Sequence, residues 1–315
     1  MPIINTGDIM KKPVKYLAAV FLAGAVMLSG CSKPEPPAQT GNIRVVTVNF
    51  PPCDFVKQIT GGEVVPEMLL KGGQDAHTFE PTAKDIIKIN EADIFIYTGG
   101  ESDEWVDTIA ESIDSGVKIV RMTDLVELIE EDHDDDDHDR GEETEYDEHI
   151  WTSPKNAITI SKGIADVLCE VSPENAQKYM DGLAAYTAEL TALSDELQAA
   201  ADTLGRPLIF GDRFPFKYMA HDYGIEYYAA FSGCSTDTEP SAAKMTELIE
   251  KARETGSKVI YYIEFSTGKV ADAIAEAVGA ETRLMHSCHT LSDADLAAGE
   301  TYVSIMRKNI EALRS

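Results

Sequence analysis

The sequence predicts an α/β protein with two parallel-sheet lobes joined by one long, rigid helix. Short runs rich in β-branched residues alternate with helical stretches from Ile43 onward, which is the order of a parallel α/β sheet. The same alternation begins again after Pro207, and an apolar stripe at helical spacing lies between the two series. The length of 315 residues, 43% of them apolar, suffices for two cores at roughly 150 residues per domain.

The first lobe is predicted to alternate four strands with three helices. Its strands are short and apolar, as buried parallel strands are. The predicted strands cover residues 43–48, 64–70, 93–98 and 117–120. The predicted helices cover residues 55–60, 82–91 and 105–113, and a fourth helix begins at Ser153-Pro154, an N-cap followed by a proline.

The linking helix is predicted from Pro173 to residue 204, with Ser172 as its N-cap and Gly205 as its stop. Its apolar residues recur at intervals of four and three, so one stripe faces protein along the whole helix. They are Tyr179, Leu183, Tyr186, Leu190, Leu193 and Leu197. A coiled-coil dimer is the alternative, but the flanking charges of a zipper are sparse, which favours a monomer.

The second lobe is predicted to repeat the pattern of the first. Its strands cover residues 207–210, 225–230 and 258–263, and its helices cover 216–221, 242–254, 269–278 and 300–313. The predicted division is therefore an N-terminal lobe over 43–160, the linking helix over 172–205 and a C-terminal lobe over 206–315.

The N-terminus predicts export. Three lysines precede an apolar run over residues 16–27, which is the length of a signal-peptide core and too short to span a membrane comfortably. The following Leu-Ser-Gly-Cys resembles the bacterial lipobox, with Cys31 as the lipidated residue. We therefore expect a lipoprotein signal peptide over 1–30, a proline-rich tether over 31–42, and anchoring on the extracytoplasmic face of a bacterial cell membrane. A plain signal peptide with an unrelated cysteine is the alternative.

The formal net charge of −28 argues against nucleic acid as a partner, because such a surface repels phosphates. The acid is concentrated in one loop, since residues 130–148 hold thirteen of the 55 carboxylates. This distribution favours cations as ligands.

Two histidines stand out because both lie at the junction of a strand or loop with a following helix. His77 precedes a helix that begins near Pro81, and His149 precedes the helix that begins at Pro154. Loops at the carboxyl ends of strands are where open α/β sheets bind ligands. The alternative is a pair of surface histidines near helix N-termini.

These motifs resemble the cluster A-I solute-binding proteins of metal ABC importers, the zinc- and manganese-binding family. The matching segments are HTFEPT at 77–82, HIWTSP at 149–154, YMAHDYG at 218–224, EPS at 239–241 and IEFS at 263–266. The resemblance implies two lobes with one metal ion held in the cleft between them, and His77 and His149 as the ligands from the first lobe. It also implies an ABC permease and its ATPase as partners.

The sequence departs from this family in the second lobe. The family's third ligand falls at Arg213, which has no lone pair to offer a metal. Asp212, Glu264 or a water would have to substitute. The fourth position falls near His286, which we predict as a ligand, although Cys288 and His289 in the same segment are also donors. Mainly imidazole ligands favour Zn²⁺, with Mn²⁺ as the alternative.

The acidic loop and the cysteines carry two further expectations. The loop resembles the His/Asp-rich insertion of zinc-binding members of this family, so its His133 and His138 are expected to gather cations weakly beside the cleft. The alternative is a solvated run of charge. Cys234 and Cys288 both follow predicted strands of the second lobe, and we expect a disulfide between them; the alternative is that one is a zinc thiolate.

The sequence therefore predicts a lipid-anchored receptor that delivers Zn²⁺ to an importer and catalyses no reaction. A secreted zinc hydrolase is the alternative from another class, although the sequence contains no HExxH motif. A surface adhesin is a third, because adhesion requires no recognisable motif.

Overall fold

Two four-stranded, all-parallel sheets form the framework of the chain, which confirms the predicted fold class. The computed structural model describes residues 43–74, 76–131, 145–235 and 239–314. The expectations for Cys31, the signal peptide and the tether lie outside these residues, as do those for His133 and His138.

The first sheet has the strand order β2-β1-β3-β4. Its strands are β1 (Val45–Thr47), β2 (Glu67–Met68), β3 (Ile94–Tyr97) and β4 (Lys118–Arg121). Its helices are α1 (Phe50–Thr60), α2 (Ala83–Asn90), α3 (Trp105–Ile109) and α4 (Pro154–Val171). Helix α1 begins five residues earlier than predicted, because Pro51 and Pro52 lie in its first turn, where a missing N–H costs nothing.

The second sheet has the order β6-β5-β7-β8. Its strands are β5 (Leu208–Arg213), β6 (Tyr227–Phe231), β7 (Val259–Ile263) and β8 (Glu281–Met285). Its helices are α6 (Lys217–Tyr223), α7 (Ala242–Glu254), α8 (Lys269–Val278), α9 (Asp293–Ala298) and α10 (Tyr302–Leu313). No range was predicted for the strand before Cys288, β8, because it is a largely exposed edge strand whose sequence, ETRLM, lacks a β-branched run.

The linking helix α5 (Ala176–Leu204) is a single helix of 29 residues, about 44 Å long at 1.5 Å per residue. A short 3₁₀ turn, Pro173–Asn175, precedes it, and Gly205 ends it in a left-handed conformation. All six residues of the predicted stripe are buried. The stripe packs against α1, α4 and α10, so this chain covers it without a partner helix.

One buried apolar cluster includes residues from strands of both sheets, and a smaller cluster covers the outer face of each sheet. The described residues accordingly belong to one compact unit. The two sheets are thus joined through a continuous core along α5.

Within the part of the chain that the structure describes, we find no helix with the length and apolar character needed to cross a bilayer.

Candidate metal centre

Three histidines and one glutamate converge between the two sheets. They are His77, Glu148, His149 and His289, and one ligand atom from each lies within 4.8 Å of the ligand atoms of the others. Glu148, His149 and His289 are buried, and His77 is partly exposed. The ring centroids of the three histidines are 5.4 to 5.9 Å apart.

Each of the four residues belongs to a loop at the carboxyl end of a sheet or to the short segment that precedes a helix. His77 lies in a 3₁₀ turn, Ala76–Thr78, between β2 and α2. His149 directly precedes a second 3₁₀ turn, Ile150–Thr152, which leads into α4. His289 follows β8. This is where the topology of an open α/β sheet places ligands.

Asp147 holds the ring of His149. Its Oδ1 accepts a hydrogen bond from the backbone N–H of His149 at 2.8 Å and lies 3.3 Å from the ring Nδ1. Burial disfavours the charged imidazole, but the carboxylates around it, Asp147 above all, raise the pKa of His149. A carboxylate on Nδ1 fixes the tautomer and leaves Nε2 free for a metal.

Ser102 holds the carboxylate of Glu148. The backbone N–H of Ser102 donates to Oε2 at 3.0 Å, and its hydroxyl donates to Oε1 at 2.6 Å. Oε1 of Glu148 lies 3.8 Å from Nδ1 of His77. Burial, with Glu148 close by, raises the pKa of the neighbouring Asp103 to about 7. The carboxylate of Glu148 is thus fully buried and is held in place by two hydrogen bonds from Ser102.

His289 is fixed through its backbone. Its N–H donates to the hydroxyl of Ser287 at 3.1 Å, and its carbonyl accepts from Phe50 N–H, at the start of α1, at 3.2 Å. Its ring packs edge-on against Trp151, with 4.9 Å between centroids. Burial first, and then the neighbouring charges of His149, His77 and Arg213, hold the pKa of His289 well below its usual range. Its imidazole is therefore neutral at pH 7, as a metal ligand must be.

The structure places His289, and not His286, in this group. Asn309 of α10 holds the backbone of residue 286 on both sides, accepting from its N–H and donating to its carbonyl at 2.8 Å each. The ring Nδ1 of His286 folds back to accept from Cys288 N–H at 3.0 Å. Cys288 has a φ of 62°, so the chain turns sharply there and directs His289 towards the other histidines.

The two carboxylates offered as substitutes, Asp212 and Glu264, also lie outside the group. Asp212 accepts from the backbone N–H of Arg213 at 2.9 Å and from that of Ile263 at 3.4 Å. Glu264 accepts from the backbone N–H of Ser287 at 2.8 Å and from its hydroxyl. Asp212 therefore bridges β5 and β7, and Glu264 holds the loop that carries His289.

Arg213, at the position where the family resemblance expects a ligand, lines the same cavity as the three histidines. The cavity has a volume of about 60 Å³, and Phe265, with a φ of 61°, lies at its exposed edge. The sequence thus places a fixed positive charge beside a site suited to a cation.

The predicted disulfide is absent, because Cys234 and Cys288 are both free thiols in the described part of the chain. They have different surroundings: Cys234 lies near Glu148, Glu131 and Asp147, whereas Cys288 is buried with Glu264 and Asp54 nearby. Burial raises the pKa of both thiols. Neither cysteine belongs to the group formed by His77, Glu148, His149 and His289, so the described residues give no support to a zinc thiolate.

Two members of the group, Glu148 and His289, are not among the ligands that the sequence predicts. His289 was named only as one of three donors in its segment, and Glu148 was counted only as part of the acidic loop. The signal for Glu148 was its place directly before His149, since adjacent residues in a turn can face one site. No pattern in the sequence distinguishes His289 from His286.

Three imidazoles and one carboxylate match the chemistry of a tetrahedral Zn²⁺ site, which prefers nitrogen, sulfur and some oxygen ligands. Manganese sites rely more on carboxylates and water. Four protein donors would also fill a tetrahedral shell, whereas a catalytic zinc keeps one position open.

Ser102→Ala is expected to lower Zn²⁺ affinity about tenfold, because it frees one oxygen of Glu148, and loss of an outer-shell partner typically costs 10- to 100-fold. Isothermal titration of the metal-free protein measures this. Ser112→Ala is the matched control, since the Ser112 hydroxyl donates only to the carbonyl of Ile109 in an exposed turn. Equal affinities in the two variants would show that the Ser102 hydroxyl does not position a zinc ligand.

Comparisons with known proteins agree with this geometry. The sequence profile of the family described as "Zinc-uptake complex component A periplasmic" matches residues 45–315. The zinc-binding lipoprotein AdcA of Streptococcus pneumoniae is 32% identical over 310 residues, 97% of this chain and 61% of that protein. The high-affinity zinc uptake system protein ZnuA of Bacillus subtilis is 32% identical over 303 residues, 95% of each chain. The chain thus spans about three-fifths of the length of its streptococcal relatives.

A solved structure shares the fold. The crystal structure of the Zn(II)-bound ZnuA-like domain of Streptococcus pneumoniae AdcA superimposes with a TM-score of 0.72 at 30% identity, over 87% of this chain and 98% of that one.

Proposed function

The chain belongs to the family of zinc-uptake complex component A proteins, which are binding proteins and not enzymes, and on that premise we propose that it captures Zn²⁺ outside the membrane and delivers it to an ABC importer. The observation that carries this proposal is the convergence of three histidines and one buried glutamate between the two sheets. Its partners are then a permease and the ATPase that drives it.

The proposed ligands are His77, Glu148, His149 and His289. Both halves of the chain contribute to this set. His77 follows β2 of the first sheet, Glu148 and His149 precede the turn that leads into α4, and His289 follows β8 of the second sheet. A metal bound by all four bridges the two halves of the molecule, and release of the metal requires that bridge to open. This arrangement suits reversible capture better than catalysis, because no coordination position is left for a substrate.

The proposed location is the outer face of a bacterial cell membrane, with Cys31 carrying the lipid. The lipobox-like segment and the relative named as a lipoprotein support this placement. We also propose a division into two lobes, residues 43–160 and 206–315, on either side of the linking helix. This division places the metal between two parts that can separate to release it.

Zinc binding is expected to raise the melting temperature of the metal-free protein by about 8–16 °C. At a free Zn²⁺ concentration 1,000 times Kd the native state gains about 4 kcal/mol, and each kcal/mol shifts Tm by roughly 2–4 °C in a protein of this size. Differential scanning calorimetry with Zn²⁺, then with excess chelator, checks the shift and its reversal. A larger shift with Mn²⁺ than with Zn²⁺ would favour manganese as the cargo, and no shift with either would contradict the proposal.

A further inference from the structure

The loop that carries His289 is hydrogen-bonded to the first half of the chain, although it follows the last strand of the second. The indole N–H of Trp151 donates to the carbonyl of Ser287, 136 residues away in sequence, at 2.8 Å. The N–H of Phe50 donates to the carbonyl of His289 itself at 3.2 Å. Neither bond uses an imidazole nitrogen, so both are compatible with a metal on the His289 ring.

Trp151 is bonded to the second half of the chain at its backbone as well as at its side chain. It lies two residues after His149, in the 3₁₀ turn that leads into α4, and is fully buried. Its carbonyl accepts from the hydroxyl of Tyr302, the first residue of α10, at 2.7 Å. The N–H of Tyr302 in turn donates to Oδ2 of Asp54 in α1 at 3.0 Å. The turn beside His149 is therefore fastened to the second half at two points.

The indole ring also contacts the histidine rings of both halves. Its centroid lies 4.9 Å from that of His289 and 5.6 Å from that of His149, at an interplanar angle of 62° in each case. Because buried side chains are closely packed, the ring of His289 cannot turn without displacing the indole. Trp151 thus limits the rotation of His289 as well as the position of its loop.

Ser287 is the point at which the two halves meet in this loop. Its carbonyl accepts from Trp151 of the first half, and its N–H donates to Oε2 of Glu264 of the second half at 2.8 Å. Its hydroxyl accepts from the N–H of His289 at 3.1 Å. Ser287 is buried, so a loss of the donor to its carbonyl is costly and favours a shift of the chain. Such a shift would carry His289 with it.

We propose that Trp151 is a positioning residue for His289, because it fastens the loop of the second half to the turn that follows His149. This inference rests on the proposed function and identifies what brings the ligands of the two halves together. The hydrogen bonds of Trp151 involve no ligand side chain, so they set the distance from His289 to His77 and His149 independently of the metal. Removal of the indole N–H releases the carbonyl of Ser287 and displaces His289 from the other ligands.

The second tryptophan of the chain, Trp105, provides a matched control. It packs against Phe79 and Phe95 in the apolar cluster on the outer face of the first sheet. Its Nε1 is buried but donates to no atom of the described residues. The same change to phenylalanine therefore removes a bonded N–H at Trp151 and an unbonded one at Trp105.

The experiment compares Trp151→Phe and Trp105→Phe with the wild-type chain. Zn²⁺ affinity is measured by competition with a chromophoric chelator, and ligand geometry by the visible absorption of the Co²⁺ form. We expect Trp151→Phe to bind Zn²⁺ about tenfold more weakly, at the lower end of the loss for an outer-shell partner, with an altered Co²⁺ spectrum. Trp105→Phe should keep its affinity within about threefold and its spectrum unaltered.

A double-mutant cycle with His289→Ala separates positioning from a general loss of structure. If Trp151 acts through His289, Trp151→Phe should weaken Zn²⁺ binding by less than about threefold once His289 is absent, because residues that act together are not additive. A role in the fold alone would cost the same tenfold in both backgrounds.

Equal affinity and spectra in Trp151→Phe and Trp105→Phe would overturn the inference while leaving zinc capture intact, and so would an undiminished loss in the His289→Ala background. A wild-type chain that binds neither metal would overturn the proposed function instead. If Trp151→Phe shows no cooperative melting, Tyr302→Phe takes its place, because it removes only the hydroxyl that holds the carbonyl of Trp151. A several-fold loss that disappears with His289→Ala would then support the inference, and wild-type affinity would overturn it.

Discussion

His289→Ala is expected to weaken Zn²⁺ binding about 100- to 1000-fold. Structural zinc sites with four ligands bind with roughly 10–16 kcal/mol of apparent free energy, so one ligand contributes about 2.5–4 kcal/mol, and every 1.4 kcal/mol is a factor of ten. The loss should exceed that of any outer-shell variant, because alanine leaves an open coordination position in a buried site. Competition with a chromophoric chelator at pH 7.5 measures the change.

The control for this variant is His286→Asn, three residues away in the same loop. The asparagine oxygen can accept the hydrogen bond from Cys288 N–H that Nδ1 of His286 now accepts, so the turn should persist. We expect zinc affinity within about threefold of wild type, since an outer-shell loss would already reach tenfold. If His286→Asn instead bound zinc more weakly than His289→Ala, His286 would be the ligand, as the family resemblance implies, and the assignment of His289 would be wrong.

The contrast between His286 and His289 marks the limit of what this sequence predicts about the site. Segments 77–82 and 149–154 carry local patterns, a loop followed by a proline and a helix, and these patterns suffice to single out one histidine in each. Residues 286–289 carry no such pattern. Their orientation depends on a left-handed residue that is not glycine, Cys288, and on Asn309 from a distant helix. Neither the left-handed conformation of Cys288 nor the contact with Asn309 can be predicted from the spacing of residues along the sequence.

The fold was more predictable than the site, for a physical reason. A buried parallel strand or an amphipathic helix is specified by its own residues, as the stripe on α5 is. The elements for which no range was predicted, β8 and α9, are short and have few buried residues, so their sequences carry little apolar signal. They form because neighbouring elements supply their partners.

Gly182→Ala in α5 is expected to destabilise the protein by about 2 kcal/mol, although alanine favours an isolated helix by about 1 kcal/mol over glycine. A Cβ at this position would lie 2.0 Å from the carbonyl oxygen of Ile59 in α1. That atom is backbone and cannot turn away, so α1 must shift as a whole and the core between the helices must open. Overpacking of this kind costs typically 1–3 kcal/mol and occasionally more.

Gly163→Ala in α4 is the control, because it has the same effect on helix propensity without a clash against backbone. It is also a helical glycine, but its Cβ would meet the terminal methyl groups of Leu125 at 2.7 and 2.8 Å, and those can rotate. We expect Tm to fall by about 4–8 °C for Gly182→Ala and to change by less than about 3 °C for Gly163→Ala, at roughly 2–4 °C per kcal/mol. Calorimetry on both metal-free variants measures these changes in Tm. An unchanged or raised Tm in Gly182→Ala would mean that α1 and α5 do not cross at that glycine.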